Sequence, residues 1–150
     1  MLTLKESLFQ QCEDFVNTRL QTIQIIISSH QKALSSETKS SAGDKHETGR
    51  AMLQLEMEKA SQQLVGITQM KEILARIDIN KLSSKAHLGS IVFTDKANYF
   101  LSISAGQLEV LNDKIFAISV SSPIGKMLLG KEENDVVAFN GNTINLQKIN

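Results

Sequence analysis

Apolar side chains recur at Leu4, Leu8, Cys12, Phe15, Val16, Leu20, Ile23, Ile27 and Leu34, in steps of mostly three or four. That spacing keeps them on one face of an α-helix. Neither glycine nor proline interrupts the chain before Gly43. Lys5, Glu6, Asp14, Arg19 and Gln21 are assigned to the opposite, polar face. A second run, Leu53, Met57, Ala60, Leu64, Ile67, Leu74 and Ile77, keeps the same rhythm, with Met70 near its one skipped place. Sustained over more than three heptads, this predicts a coiled-coil seam. Between the runs, "SSETKSSAGDKHETG" is small and polar, so the seam stops and the chain can reverse. Two helices with one polar link predict an antiparallel hairpin. Each arm of roughly 30 residues would be about 45 Å long.

After residue 78 the period falls to two. "GSIVFTD", "NYFLSISA" and "KIFAISVS" are β-branched and aromatic runs punctuated by Asp, Asn and Gly, the pattern of strands. "SSPIGKMLLGK" predicts one short helix, with Ser122 as N-cap, Pro123 in the first helical position and Gly130 at the stop. In "DVVAFNGNTINLQKI", Asn140-Gly141 supplies the positive φ angles of a tight hairpin. The predicted fold class is α+β. A two-helix hairpin over 1–78, with its tip near 36–49, precedes a small β-sheet domain over 79–150 with four or five strands and one helix.

Charge narrows the functions available. The 150 residues carry 16 basic and 16 acidic side chains, spread evenly along the chain. Without a cluster of Lys and Arg, DNA binding is expected to be weak at most. One cysteine, Cys12, excludes an intrachain disulfide, and its place on the apolar face predicts a buried, inert thiol. The longest apolar run, around Ile25-Ile26-Ile27, is far too short to span a bilayer. The expectation is a cytoplasmic protein that does not engage membranes.

The residues most open to chemistry are Asp44 and Glu47, in "SSAGDKHETGR" over 40–50. Asp and Glu three apart ahead of a helical run match a capping box, and both charges suit a helix N-terminus. The same spacing points two carboxylates one way, where they could share a hard cation such as Mg²⁺. Two ligands alone hold Mg²⁺ weakly, because it keeps its waters and prefers phosphates to complete its shell. The pair would therefore matter only inside a larger site already holding phosphates. His46 between them has no second His or Cys at a metal-ligand spacing. Met52, Met57 and Met70 fit either an adaptable surface or the filling of a seam.

Two stretches resemble the Gre transcript cleavage factors of bacteria. "SSPIGKMLLGKEENDVV", Ser121 to Val137, is similar to that family's Ser-Pro-Ile-Gly…Leu-Leu-Gly-Lys…Asp-x-Val stretch, and "GDKHE", Gly43 to Glu47, to the start of its tip motif. The resemblance implies an FKBP-like fold for the second domain and RNA polymerase as partner, entered through its secondary channel. It implies docking through Ser122 and Pro123, and Asp44 and Glu47 as tip acids that help hold a Mg²⁺ shared with the polymerase. The nascent RNA 3′ end would be met only indirectly. The chain would be an accessory to the polymerase's own nuclease activity, with no small-molecule substrate and no cofactor of its own. Where the family continues with Asn, Ala and Tyr, this chain has Thr48, Gly49 and Ala51. A channel regulator without cleavage activity is therefore an open alternative, and so is a coiled-coil adaptor outside transcription. Prolyl isomerisation, the activity associated with FKBP-like folds, needs an aromatic-lined pocket, for which a chain with one Tyr and no Trp has little material.

Overall fold

The computed structural model describes the backbone of residues 1–39 and 44–150, and the side chains of 1–36 and 48–150. Two helices open the chain, α1 over Leu4–Lys39 and α2 over Asp44–Ala75. Thr3 starts α1, its Oγ1 accepting the Glu6 amide at 3.1 Å, which satisfies one of the free donors of a helix N-terminus. The end of α2 tightens, with the amides of Arg76 and Ile77 reaching back three residues to the carbonyls of Ile73 and Leu74. The chain forms two compact units, one of Val16–Met70 and one of Met1–Phe15 with Lys71–Asn150.

The first unit is the helical hairpin. Val16, Ile23, Ala60 and Ile67 are buried in its seam, and Leu20, Ile27, Leu34, Leu53, Met57, Leu64 and Met70 are half-buried. Each sits at a place the three-and-four rhythm assigned to the seam. Apolar residues off the rhythm face solvent: Ile25 is 70% exposed and Val65 57%. The periodicity therefore decides which isoleucine is core, even within Ile25-Ile26-Ile27.

The second unit is built on a six-stranded mixed sheet. Its strands are β1 (Ile91–Thr94), β2 (Asn98–Ser102), β3 (Gly106–Val110), β4 (Asp113–Ser119), β5 (Val136–Phe139) and β6 (Asn142–Ile149), in the order β3-β4-β2-β1-β6-β5. Among the described strands only β2 and β4 pair in parallel, with Tyr99 opposite Phe116 and Leu101 opposite Ile118. One short helix, α3 (Pro123–Leu128), joins β4 to β5. Six strands replace the four or five expected. The strand missed is β3, "GQLEV", an edge strand whose one fully inward side chain is Leu108. A strand paired on one side only needs little apolar character, so the period-two signal is faint there.

Both faces of the sheet are covered. On one, Ala86, Val92, Leu101, Leu128, Ile144 and Leu146 form a buried cluster with Tyr99, Ile118 and Ile124 against it. On the other lie the first turns of α1: Leu8 and Cys12 are fully buried, the Cys12 Sγ is 3.7 Å from Ser102 Oγ on β2, and Gln11 Nε2 donates to the Glu109 carbonyl of β3 at 3.0 Å. This is why Phe100, Leu101 and Ser102 are all buried, although successive strand residues point to opposite faces. Burial pushes the Cys12 thiol up to about 11. Asn140 and Gly141 take φ angles of 51° and 78° and close the β5–β6 hairpin, as their sequence requires.

The assignment of Lys5 to the polar face of α1 is overturned. Lys5 is 8% exposed. It lies three residues before Leu8 and seven before Cys12, a spacing that places it on the same face as both.

Candidate functional site

The sequence singled out two places: the link between the helices and the Ser-Pro turn before α3. At the first, α2 begins at Asp44, so Asp44 and Glu47 are its first and fourth residues. Their side chains lie outside the described residues, as do those of Lys45 and His46. Thr48, Gly49 and Ala51 fall in the second turn of α2, where glycine is a poor helix former. As a donor set, two carboxylates fit a hard cation but supply a minority of an octahedral shell. Among the described residues, no group of three or more His, Cys, Asp or Glu side chains is assembled to hold a metal. No helix among them is long and apolar enough to cross a membrane.

The second place is fully described. Ser122 caps α3 with extended backbone angles of −70° and 158°. Its Oγ accepts the Gly125 amide at 3.1 Å and donates to the Ser119 carbonyl at 2.6 Å. The Ser122 amide also donates to Ser119 O, at 3.0 Å. The Ser122 hydroxyl is thus spent inside the turn. What the turn presents outward is Pro123, Ser121 and Lys126, all exposed. Gly125 is what lets the turn close: a Cβ built there would lie 2.1 Å from the Ser119 carbonyl oxygen. Leu128, fully buried, anchors the helix in the core. Gly130, at φ 80°, ends it and donates to the Ala86 carbonyl at 2.8 Å. Ser122 and Pro123 therefore form a rigid knuckle, fixed by hydrogen bonds below and open above.

Three further arrangements escaped the sequence. Ser90, fully buried, accepts the His87 amide at 2.9 Å and lies 2.8 Å from His87 Nδ1. This ties together the loop that enters β1, and a His three residues before a Ser carries no signal of it. Lys5 lines a cleft of about 230 Å³ with Leu4, Ile79, Leu82 and Ile91. Its spacing to Leu8 and Cys12 was the available clue. Within the hairpin, a second cleft of about 430 Å³ lies between the helices, floored by Ile23, Ile67 and Met70 and opened by the missing side chain of Gly66.

No protein-family model and no curated protein matches the chain. Among solved structures it is similar to one described as "Structure of the transcription factor Gfh1", with 20% sequence identity over 89% of this chain and 90% of that one. The TM-score of that pair is 0.34.

Proposed function

We propose that this chain is a Gre-like factor of RNA polymerase. Its hairpin enters the secondary channel, and Asp44 and Glu47 are lent to the polymerase active site for hydrolysis of a backtracked transcript. The observation that carries the reading is the hairpin itself. Helices of 36 and 32 residues, about 54 and 48 Å long at 1.5 Å per residue, follow one another in the chain, and the second begins at Asp44 of the acid pair. The Ser-Pro knuckle adds support, because a docking element must be rigid and exposed, and this one is both.

The division of labour follows from the ligand count. Asp44 and Glu47 would hold Mg²⁺ only alongside donors from the polymerase and its RNA, and a metal so placed stabilises charge that develops during phosphodiester cleavage. This chain contributes two carboxylates and their position. Docking falls to the Ser122-Pro123 turn, through the surface that Pro123 and Lys126 offer.

Thr48, Gly49 and Ala51 favour a second reading: the same channel entry, used to regulate transcription without cleavage. An assay on stalled, backtracked complexes separates the two. The proposal expects Mg²⁺-dependent shortening of the transcript that Asp44→Ala and Glu47→Ala each abolish while the factor still co-purifies with core polymerase. Binding without shortening selects the regulator. Failure to co-purify with polymerase at all selects an adaptor outside transcription.

A further inference from the structure

Lys5 is the most unusual charged group in the described chain. The residue is 8% exposed, yet among the described residues its Nζ has one acceptor, the Lys81 carbonyl at 3.5 Å. That is longer than an ordinary N–H···O bond of about 2.7–3.2 Å. An ammonium carries three donors, and buried charges are normally paired. Asp78 is near enough for its charge to favour the ammonium, but it forms no ion pair with Lys5, and its Oδ1 accepts the Asn80 amide at 3.0 Å. Burial outweighs that charge and holds the amine below its usual range. Donor capacity is left over.

The place where it is left over is a cavity. Lys5 lines the cleft of about 230 Å³ together with Thr3, Leu4, Ile79, Leu82, Ile91 and Asn150. Four of these walls are aliphatic, and one of them, Leu82, is 82% exposed. A large apolar side chain that open to water gains from being covered. The volume falls below the roughly 300–1,000 Å³ of sites for drug-sized ligands, so the occupant is small. One cation among four aliphatic walls and two uncharged polar residues, Thr3 and Asn150, asks for a single anion on an aliphatic chain.

We propose that this cleft binds a small aliphatic carboxylate, its carboxylate on the Lys5 ammonium and its chain against Leu4, Ile79 and Leu82. A carboxylate accepts the donors that Lys81 O leaves free, and a charge-assisted bond to a poorly solvated ammonium is stronger than one in open water. The chain covers Leu82 and displaces water from Ile79. Selectivity follows: an alcohol of equal length offers the same apolar contact without the charge, and a lone acetate the charge without the contact. This inference is independent of any role in transcription.

The test is a titration of the full-length protein with hexanoate, followed by methyl NMR of its isoleucines and leucines. Saturable shifts are expected at Ile79, Leu82 and Ile91 while Ile25, on the hairpin, stays still. Hexanol and acetate should each bind about tenfold more weakly or worse, and Lys5→Met should weaken hexanoate by about the same factor. Leu82→Glu places a like charge at an exposed position that folding does not need, and it should abolish binding in a protein with an unchanged melting temperature. Absence of saturable shifts at these methyls overturns the proposal. So does hexanol binding as well as hexanoate, or full hexanoate affinity in Lys5→Met or Leu82→Glu.

Discussion

Gly125 has no room for a methyl group. Its Cβ would meet the Ser119 carbonyl oxygen at 2.1 Å and the Ser122 hydroxyl at 3.0 Å, and backbone on the far side cannot swing away as a flexible side chain can. Gly125→Ala should cost roughly 1–3 kcal/mol, the range for forced overpacking, read as a lower urea midpoint with an unchanged slope. An unchanged midpoint would mean that the turn is looser than its hydrogen bonds imply. Asp95 gives a second test at this scale. The Asn145 amide donates to its Oδ1 at 2.8 Å and the Asn145 side chain to its Oδ2 at 2.9 Å. Those bonds, the amide's first, hold the Asp95 carboxyl below its usual value. A carboxyl lowered in the folded state contributes stability that is present above its unfolded pKa, near 3.8, and lost as pH falls through the folded value. Asp95→Asn should therefore narrow the stability gap to wild type as pH drops below about 4, measured by urea unfolding from pH 7 to pH 3. A gap that stays constant over that range would show that the carboxylate's charge is not what the bonds favour.

At the scale of elements, the hairpin offers a paired comparison. Ile23 is 3% exposed and Ile25 70%, two residues apart on one helix. Ile23→Ala should cost roughly 2–4 kcal/mol through lost burial and the space left behind, while Ile25→Ala should stay within about 0.5 kcal/mol. Thermal unfolding followed by circular dichroism reads both, and equal losses would refute the face assignment. These helices were legible because a three-and-four rhythm repeats over many turns and only one face satisfies it. The helix cap at Ser122-Pro123 and the Asn140-Gly141 turn were legible because few residues tolerate those backbone angles. The β3–β4 hairpin was not, for two physical reasons. As an edge strand, β3 needs one inward residue. Its turn, moreover, places Leu111 at φ 56° and 91% exposed, where turn chemistry favours Gly, Asn or Asp. Lys5 was misplaced because its charge outweighed its spacing in the reading, whereas its position relative to Leu8 decided its burial.

For the whole molecule, the sequence specifies a hairpin, a sheet unit and a knuckle. The proposal that they serve in transcription rests on the resemblance of the stretches Gly43–Glu47 and Ser121–Val137. The knuckle is held by bonds the sequence announced. Asp44 and Glu47 are the first and fourth residues of α2, and the proposal gives them a role only together with a polymerase. The most direct test puts a reporter between them. A photo-crosslinking group replacing His46, on an otherwise native chain, is bound to RNA polymerase halted on a backtracked transcript labelled at its 3′ end. Cys12 is fully buried, so a thiol-attached reporter introduced through His46→Cys can be directed to that position. A hairpin seated in the secondary channel gives a crosslink to the last nucleotides of the transcript, lost when the knuckle is disrupted by Gly125→Ala. A crosslink confined to the outer surface of a polymerase that the chain still binds would contradict that seating.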